Sequence, residues 1–146
     1  MSYTATANIY IDASPELVWK ALTDPASVKA YLFGTNLETD WSIGSPIFFR
    51  GEYNGVLYED KGVVLSFNPF TELSYSYLSS MGGLEDRPEN YQTVRYALAE
   101  EKEGTLLTVT QECFESEERA THSTQSWNHV LKTLEDFVTG AKDCEV

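Results

Sequence analysis

Two histidines, His122 and His129, stand seven residues apart, a spacing that puts both imidazoles on one helix face and would suit a metal ion or a general base. Trp127 and the apolar residues after it occupy another face, about 200° around a regular helix, so both histidines are expected to face solvent. No third ligand has suitable spacing, and the sequence predicts no metal site. Cys113 ends a predicted strand between Glu112 and Glu115, neighbours that disfavour a thiolate, so it is expected to be a small buried or edge residue and not a nucleophile. Cys113 and Cys144 form no redox or ligand spacing and read as reduced thiols. Gly82-Gly83 lacks the Lys-Ser/Thr of a phosphate loop, and no cofactor is implied. The acidic run Glu115 to Glu118 suits the positive end of a following helix.

Arg95 sits between Val94 and Tyr96, and strict alternation points it away from them, to the outer face. A bulge would reverse it and make it an anchor for an anionic head group. Arg50, Glu52 and Asp60 carry the same two readings. An enzyme, a cyclase or hydrolase, would need an acid such as Asp60 or Glu52 beside a tyrosine inside a pocket. The stronger signal is aromatic. Trp41, Phe49, Tyr75, Tyr77, Tyr96 and Trp127 sit where sheet and helix would converge, and the tyrosine hydroxyls would give an apolar cavity a few polar contacts. The competing reading is a solid aromatic core.

Those side chains need a scaffold, and its centre is a helix predicted from Arg119 to Thr139. Trp127, Val130, Leu131, Leu134, Phe137 and Val138 recur at helical period and form one apolar stripe. Backwards along that face stand Thr124, Ser123 and Ala120, all small. The head of the helix is therefore expected to be gripped loosely and to border a void, with Leu131 among the lining residues. Small residues equally permit close backbone approach with no ligand.

Upstream, Thr4 to Ile11 alternates like a half-buried strand. Ser14-Pro15-Glu16 opens a helix that stops at Thr23, where Asp24-Pro25 restarts the capping chemistry for a second short helix carrying Val28, Tyr31 and Leu32. Ile47 to Tyr53 is a strand, Asn54-Gly55 a tight hairpin turn, and Gly62 to Phe67 a β-branched strand. Leu73, Tyr75 and Tyr77 share one strand face, and Met81 to Asn90 is the longest loop, expected at the cavity mouth. Tyr91 to Ala99 and Thr105 to Cys113 complete the strands, with Val94, Tyr96 and Leu98 on one face and Leu107 and Val109 on another. Short turns require antiparallel neighbours, so the class is α+β.

The 146 residues suit one domain, 1–146, and the nineteen aromatics exceed what a core requires. A net charge of −13, from 23 acids against 10 bases, repels polyanions and excludes nucleic acid as a partner. The N-terminus has no signal-peptide pattern and no stretch approaches a membrane span, so a soluble cytoplasmic protein without membrane insertion is expected.

IYIDASPELVWKALTDP, WSIGSPIFFRGEYNGVLYEDKGVVLSFNPFTELSYSY, YQTVRYAL, GTLLTVTQECF and WNHVLKTLEDFV, in that order, resemble the domain related to the activator of heat-shock protein 90 ATPase. That family lies in the superfamily of START lipid-transfer domains, polyketide cyclases and the birch-pollen allergen. The resemblance implies a helix-grip fold, a curved antiparallel sheet wrapped around a long C-terminal helix with an apolar cavity between them. It also implies a hydrophobic small-molecule ligand such as a lipid, polyketide or flavonoid-like compound, and in some members catalysis in the same cavity. The expected activity is non-catalytic binding of a small apolar molecule. The ligand site is expected at Trp41, Phe49, Tyr75, Tyr77, Tyr96, Ala120, Ser123, Thr124, Trp127 and Leu131. A chaperone-associated interaction module is the remaining alternative, and no residue pattern supports a protein partner.

Overall fold

Local chemistry starts the helices where the residue types require. In the computed structural model, which describes residues 3–32, 34–80 and 85–144, the first strand β1 (Tyr3–Ile11) runs into Ser14, whose hydroxyl accepts a hydrogen bond from the Leu17 N–H at 3.3 Å. That cap opens α1 (Pro15–Thr23). Asp24 ends α1 and caps α2 (Pro25–Tyr31), its Oδ2 accepting from the Ser27 N–H at 3.2 Å and the Ser27 hydroxyl at 2.9 Å. Proline follows each cap, where its missing N–H costs nothing.

The strands that follow are β2 (Asn36–Glu38), β3 (Pro46–Tyr53), β4 (Val56–Asn68), β5 (Glu72–Tyr77), β6 (Gln92–Glu101) and β7 (Gly104–Phe114). They form a seven-stranded antiparallel sheet in the order β1-β7-β6-β5-β4-β3-β2. A single turn of 3-10 helix, Pro88–Asn90, precedes β6. The last element, α3 (Glu117–Cys144), starts where the Ser116 hydroxyl accepts from the Arg119 N–H at 3.1 Å. Glu117 and Glu118 fill its first turn, as the acidic run predicts. The architecture is the α+β helix grip.

The largest departures from the sequence reading are at β4 and α3. β4 begins at Val56, directly after the Asn54-Gly55 turn with φ of 50° and 81°, and not at Gly62. Its first residues, Val56 and Leu57, are exposed, so no burial alternation marks them. α3 begins two residues earlier than Arg119 and runs beyond Thr139. Of the predicted loop from Met81 to Asn90, 81–84 lie outside the described residues, and so does the Cys144 side chain. Cys113 is exposed, at φ 75°, where the β1–β7 register shifts between Tyr3 and Ala5; the left-handed residue is what lets β7 bulge there.

The apolar stripe of α3 divides by depth. Leu131, Leu134 and Val138 are buried with Ile11, Val18, Leu107 and Val109, each burial stabilising by roughly 1.5–3 kcal/mol. Trp127, Val130 and Phe137 pack on that core only partly buried. Ala120 contradicts the loose-head expectation. It is buried against Ala5 and Phe114 in a separate small cluster, because its methyl group lets the first turns of α3 approach the start of β1. The slack in the grip falls further along, between Ser123 and Val130. Among the described residues no helix is long and apolar enough to cross a membrane.

Candidate ligand-binding site

A cavity of about 400 Å³ opens between the inner face of the sheet and α3, within the range of small-molecule sites. Alternation in β5 and β6 delivers Tyr75, Tyr77, Val94 and Tyr96 to it, and β3 adds Phe49. The rings form a connected wall. Phe49 lies 5.3 Å from Tyr75 and 6.1 Å from Tyr77 between centroids, and Tyr96 meets Trp127 edge-on at 5.8 Å and 89°. Trp41 closes one end in a left-handed conformation, φ 61°, its Nε1–H donating to the Thr23 carbonyl at 3.1 Å while its ring stacks on Phe67. That bond ties the end of α1 to the cavity wall.

Polar atoms are arranged in two groups. Gln111, buried on β7, accepts at Oε1 from Trp127 Nε1 at 2.9 Å and from the Ser123 hydroxyl at 3.1 Å, while its Nε2 donates to Gln92 Oε1 at 2.6 Å. One side-chain amide thus fixes two cavity-lining residues of α3 to the sheet. At the β3–β4 side, Tyr77 donates its hydroxyl to Asp60 Oδ2 at 2.7 Å, and Tyr58 shares a 2.6 Å hydrogen bond with Thr35. Gly51 makes room for that second pair: a Cβ there would overlap the Tyr58 ring, which lies across the β3 backbone.

Burial holds the phenols of Tyr31, Tyr75, Tyr77 and Tyr96 above the ordinary value near 10, and neighbouring groups add to it: Tyr96 for Tyr31, Tyr75 for Tyr96, Tyr77 for Tyr75, and the Asp60 charge for Tyr77. These hydroxyls are neutral donors and acceptors at physiological pH. The folded chain keeps protons that the unfolded chain releases near pH 10, so their contribution to stability is fully present below that pH and falls as pH rises through and beyond it. Each such tyrosine steepens the fall by up to about 1.4 kcal/mol per pH unit. In an alkaline titration, phenolate absorbance from these residues is expected to appear together with loss of near-ultraviolet circular dichroism. Phenolate appearing fully while the dichroism persists would show the cavity to be open to water.

Of the residues expected at the site, Trp41, Phe49, Tyr75, Tyr77, Tyr96, Ser123 and Trp127 line this cavity. Three do not. Ala120 packs against β1 as described; Thr124 turns its hydroxyl to the Ala120 carbonyl at 3.0 Å; Leu131 is buried in the core. Tyr31, Thr35, Tyr58 and Gln111 line it without having been singled out as ligand contacts by sequence. Gln111 had a usable signal, since a polar residue continues the inward series Leu107, Val109 on β7.

The charged residues with two readings resolve separately. Arg95 faces outward, its side chain 59% exposed and 3.6 Å from Glu72. Arg50 lies outside too, over the Phe48 ring and 2.7 Å from both Glu38 and Glu59. Asp60 faces the cavity and Glu52 contributes to its rim. Both histidines are exposed on α3, and among the described residues no three His, Cys, Asp or Glu side chains are placed to hold a metal ion.

A family model described as activator of Hsp90 ATPase homolog 1-like protein matches residues 12–139. Among solved structures, a protein from Cytophaga hutchinsonii is 39% identical over 97% of each chain, with a TM-score of 0.83. The Aha1 dimer from Colwellia psychrerythraea is 19% identical, covers 93% of this chain and 96% of that one, and has a TM-score of 0.73. CalU16 from Micromonospora echinospora is 22% identical, with 94% and 86% covered and a TM-score of 0.71; at such identities these two show a shared fold alone. No curated protein matches the chain.

Proposed function

The chain belongs to the family of activator of Hsp90 ATPase homolog 1-like proteins, and we propose that it binds a small, mainly apolar ring compound in the cavity between its sheet and α3. The observation that carries this reading is the cavity itself: about 400 Å³ walled by aromatic rings whose hydroxyls are neutral. Rings supply dispersion and apolar burial, and a few hydroxyls fix orientation. Contacts come from Trp41, Phe49, Tyr75, Tyr77, Tyr96, Ser123 and Trp127, with Gln111 holding the last two in place.

An NMR titration against a mixed library of lipids, flavonoids and polyketides tests it. Shift changes are expected to gather at Trp127, Ser123 and the facing residues of β5 and β6. A library that moves only outer-face resonances, or none, would overturn the reading. A second reading, a hydrolase or cyclase using the same cavity, is favoured by the Tyr77–Asp60 pair, which sets a carboxylate beside a phenol at 2.7 Å. Liquid chromatography with mass spectrometry of the bound compound after incubation separates the two, since only an enzyme changes its mass or, for a cyclisation without loss of water, its retention.

A further inference from the structure

Charge is distributed unevenly around the cavity. Asp60 pairs with Phe49 across the β3–β4 ladder, so its carboxylate shares the inner face with the rings. Tyr77 donates to its Oδ2 at 2.7 Å, and Ser80 donates its N–H at 2.8 Å and its hydroxyl at 3.1 Å to Oδ1. Among the described residues these three donors are neutral, and no cation compensates the charge. A carboxylate offers about four acceptor positions, so three described donors leave one of them unfilled among the described residues. The neighbouring cations are turned away from it: Arg50 is held outside by Glu38 and Glu59, and Lys61 is 2.6 Å from Asp86. Among the described residues that line the cavity, the charged ones are Asp60 and Glu52, and none is Lys, Arg or His.

From this placement we propose that the ligand is a ring compound bearing a protonated amine, its ammonium hydrogen-bonded to Asp60 and its ring against Phe49, Tyr75 and Tyr77. The inference rests on the cavity-binding reading and narrows it to one chemical class. An ammonium fills the open acceptor position with a charge-assisted bond and lies within reach of aromatic faces that attract cations. A carboxylate ligand, a fatty acid included, would bring a second negative charge beside Asp60, and among the described lining residues no cation stands there to receive it. Flavonoids, and lipids without an amine, lack the group that this wall is built to accept.

The test uses three probes of one shape, 2-naphthylmethylamine, 2-naphthalenemethanol and 2-naphthoic acid, titrated by calorimetry against the intact chain. The amine is expected to bind at least about tenfold more tightly than the acid, the size of one charge-assisted hydrogen bond. Asp60→Asn should bring amine and acid to within about threefold of each other, as only the neutral part of that bond survives, while leaving the alcohol unchanged. Asp136→Asn, a change of equal charge on the exposed face of α3, should leave the preference intact and so exclude the general field of an acidic protein. If Asp60→Asn fails to fold, Tyr77→Phe serves instead: it removes a donor from the carboxylate and should raise the preference for the amine. An acid that binds as well as the amine, or a preference that survives Asp60→Asn, would overturn the proposal while binding of the alcohol kept the cavity reading alive. Failure of all three probes to bind would overturn both.

Discussion

Gly62→Ala is expected to lower stability by at least about 3 kcal/mol, at the upper end of what overpacking costs, and to be read as a large drop in the urea midpoint. The cause is backbone against backbone. A Cβ at Gly62 would overlap the carbonyl group of Ser76 on β5, and neither side can move by turning a side chain. Gly62 has no positive φ, so the requirement is close approach and not conformational freedom. It lies where the β4–β5 ladder is interrupted: Val64 pairs with Tyr75 and Lys61 bridges Leu78, but between them the Val63 N–H donates to the Ser76 hydroxyl at 2.9 Å. Beyond this point β4 carries Asp60 and Tyr58 along the cavity. Pushing the strands apart therefore damages the wall as well as the sheet. Gly51→Ala provides the contrast, since its Cβ meets only the far end of the Tyr58 ring, which can swing aside. A Gly62→Ala midpoint no lower than that of Gly51→Ala would show that β4 and β5 are not held together as tightly as this contact requires.

The elements legible in the sequence were those whose signal is local. Ser14 and Asp24 cap helices by chemistry complete within three residues, and Asn54-Gly55 turns a hairpin by its own backbone preference. The inward series Leu73, Tyr75 and Val94, Tyr96, Leu98 follows from period two and matches the observed burial. What the sequence left open depended on partners in other elements. Asp60 could be placed only by pairing β3 with β4 in register, which sets it opposite Phe49. Ala120 offered two readings, a void or a close approach, and the choice was made by Ala5 and Phe114, neither of which lies near it on a helix. Gln111 acts on Trp127 and Ser123 from another element altogether. The cavity exists because small residues at Ser123 and Ser126 on α3 face large rings on the sheet without filling the space between them.

Filling that space should remove binding with little harm to the fold. Ser123→Trp is expected to weaken 2-naphthalenemethanol by at least about a hundredfold: displacing a ring from roughly 120 Å² of apolar contact, at about 25 cal/mol per Å², forfeits close to 3 kcal/mol. Ser123 is half-buried and lines the cavity, one helical turn before Trp127 on the same face, so an indole there projects toward Tyr96 and Gln111. The substitution loses one hydrogen bond, from the Ser123 hydroxyl to Gln111 at 3.1 Å, a cost of about 1 kcal/mol that new apolar contacts offset. Trp127 still donates to the same oxygen at 2.9 Å, so Gln111 is not orphaned. Ala120→Leu, one turn earlier, should act the other way round. Its extra carbons press on Ala5 and Phe114 and cost about 1–3 kcal/mol of stability, while the cavity and its affinity stay as they are. Calorimetric titration of the alcohol and urea unfolding, applied to both variants, separate binding from packing. A folded Ser123→Trp protein that binds the alcohol normally would place the ligand outside the sheet–helix cavity, and a destabilised Ala120→Leu that also loses binding would return the site to the head of α3.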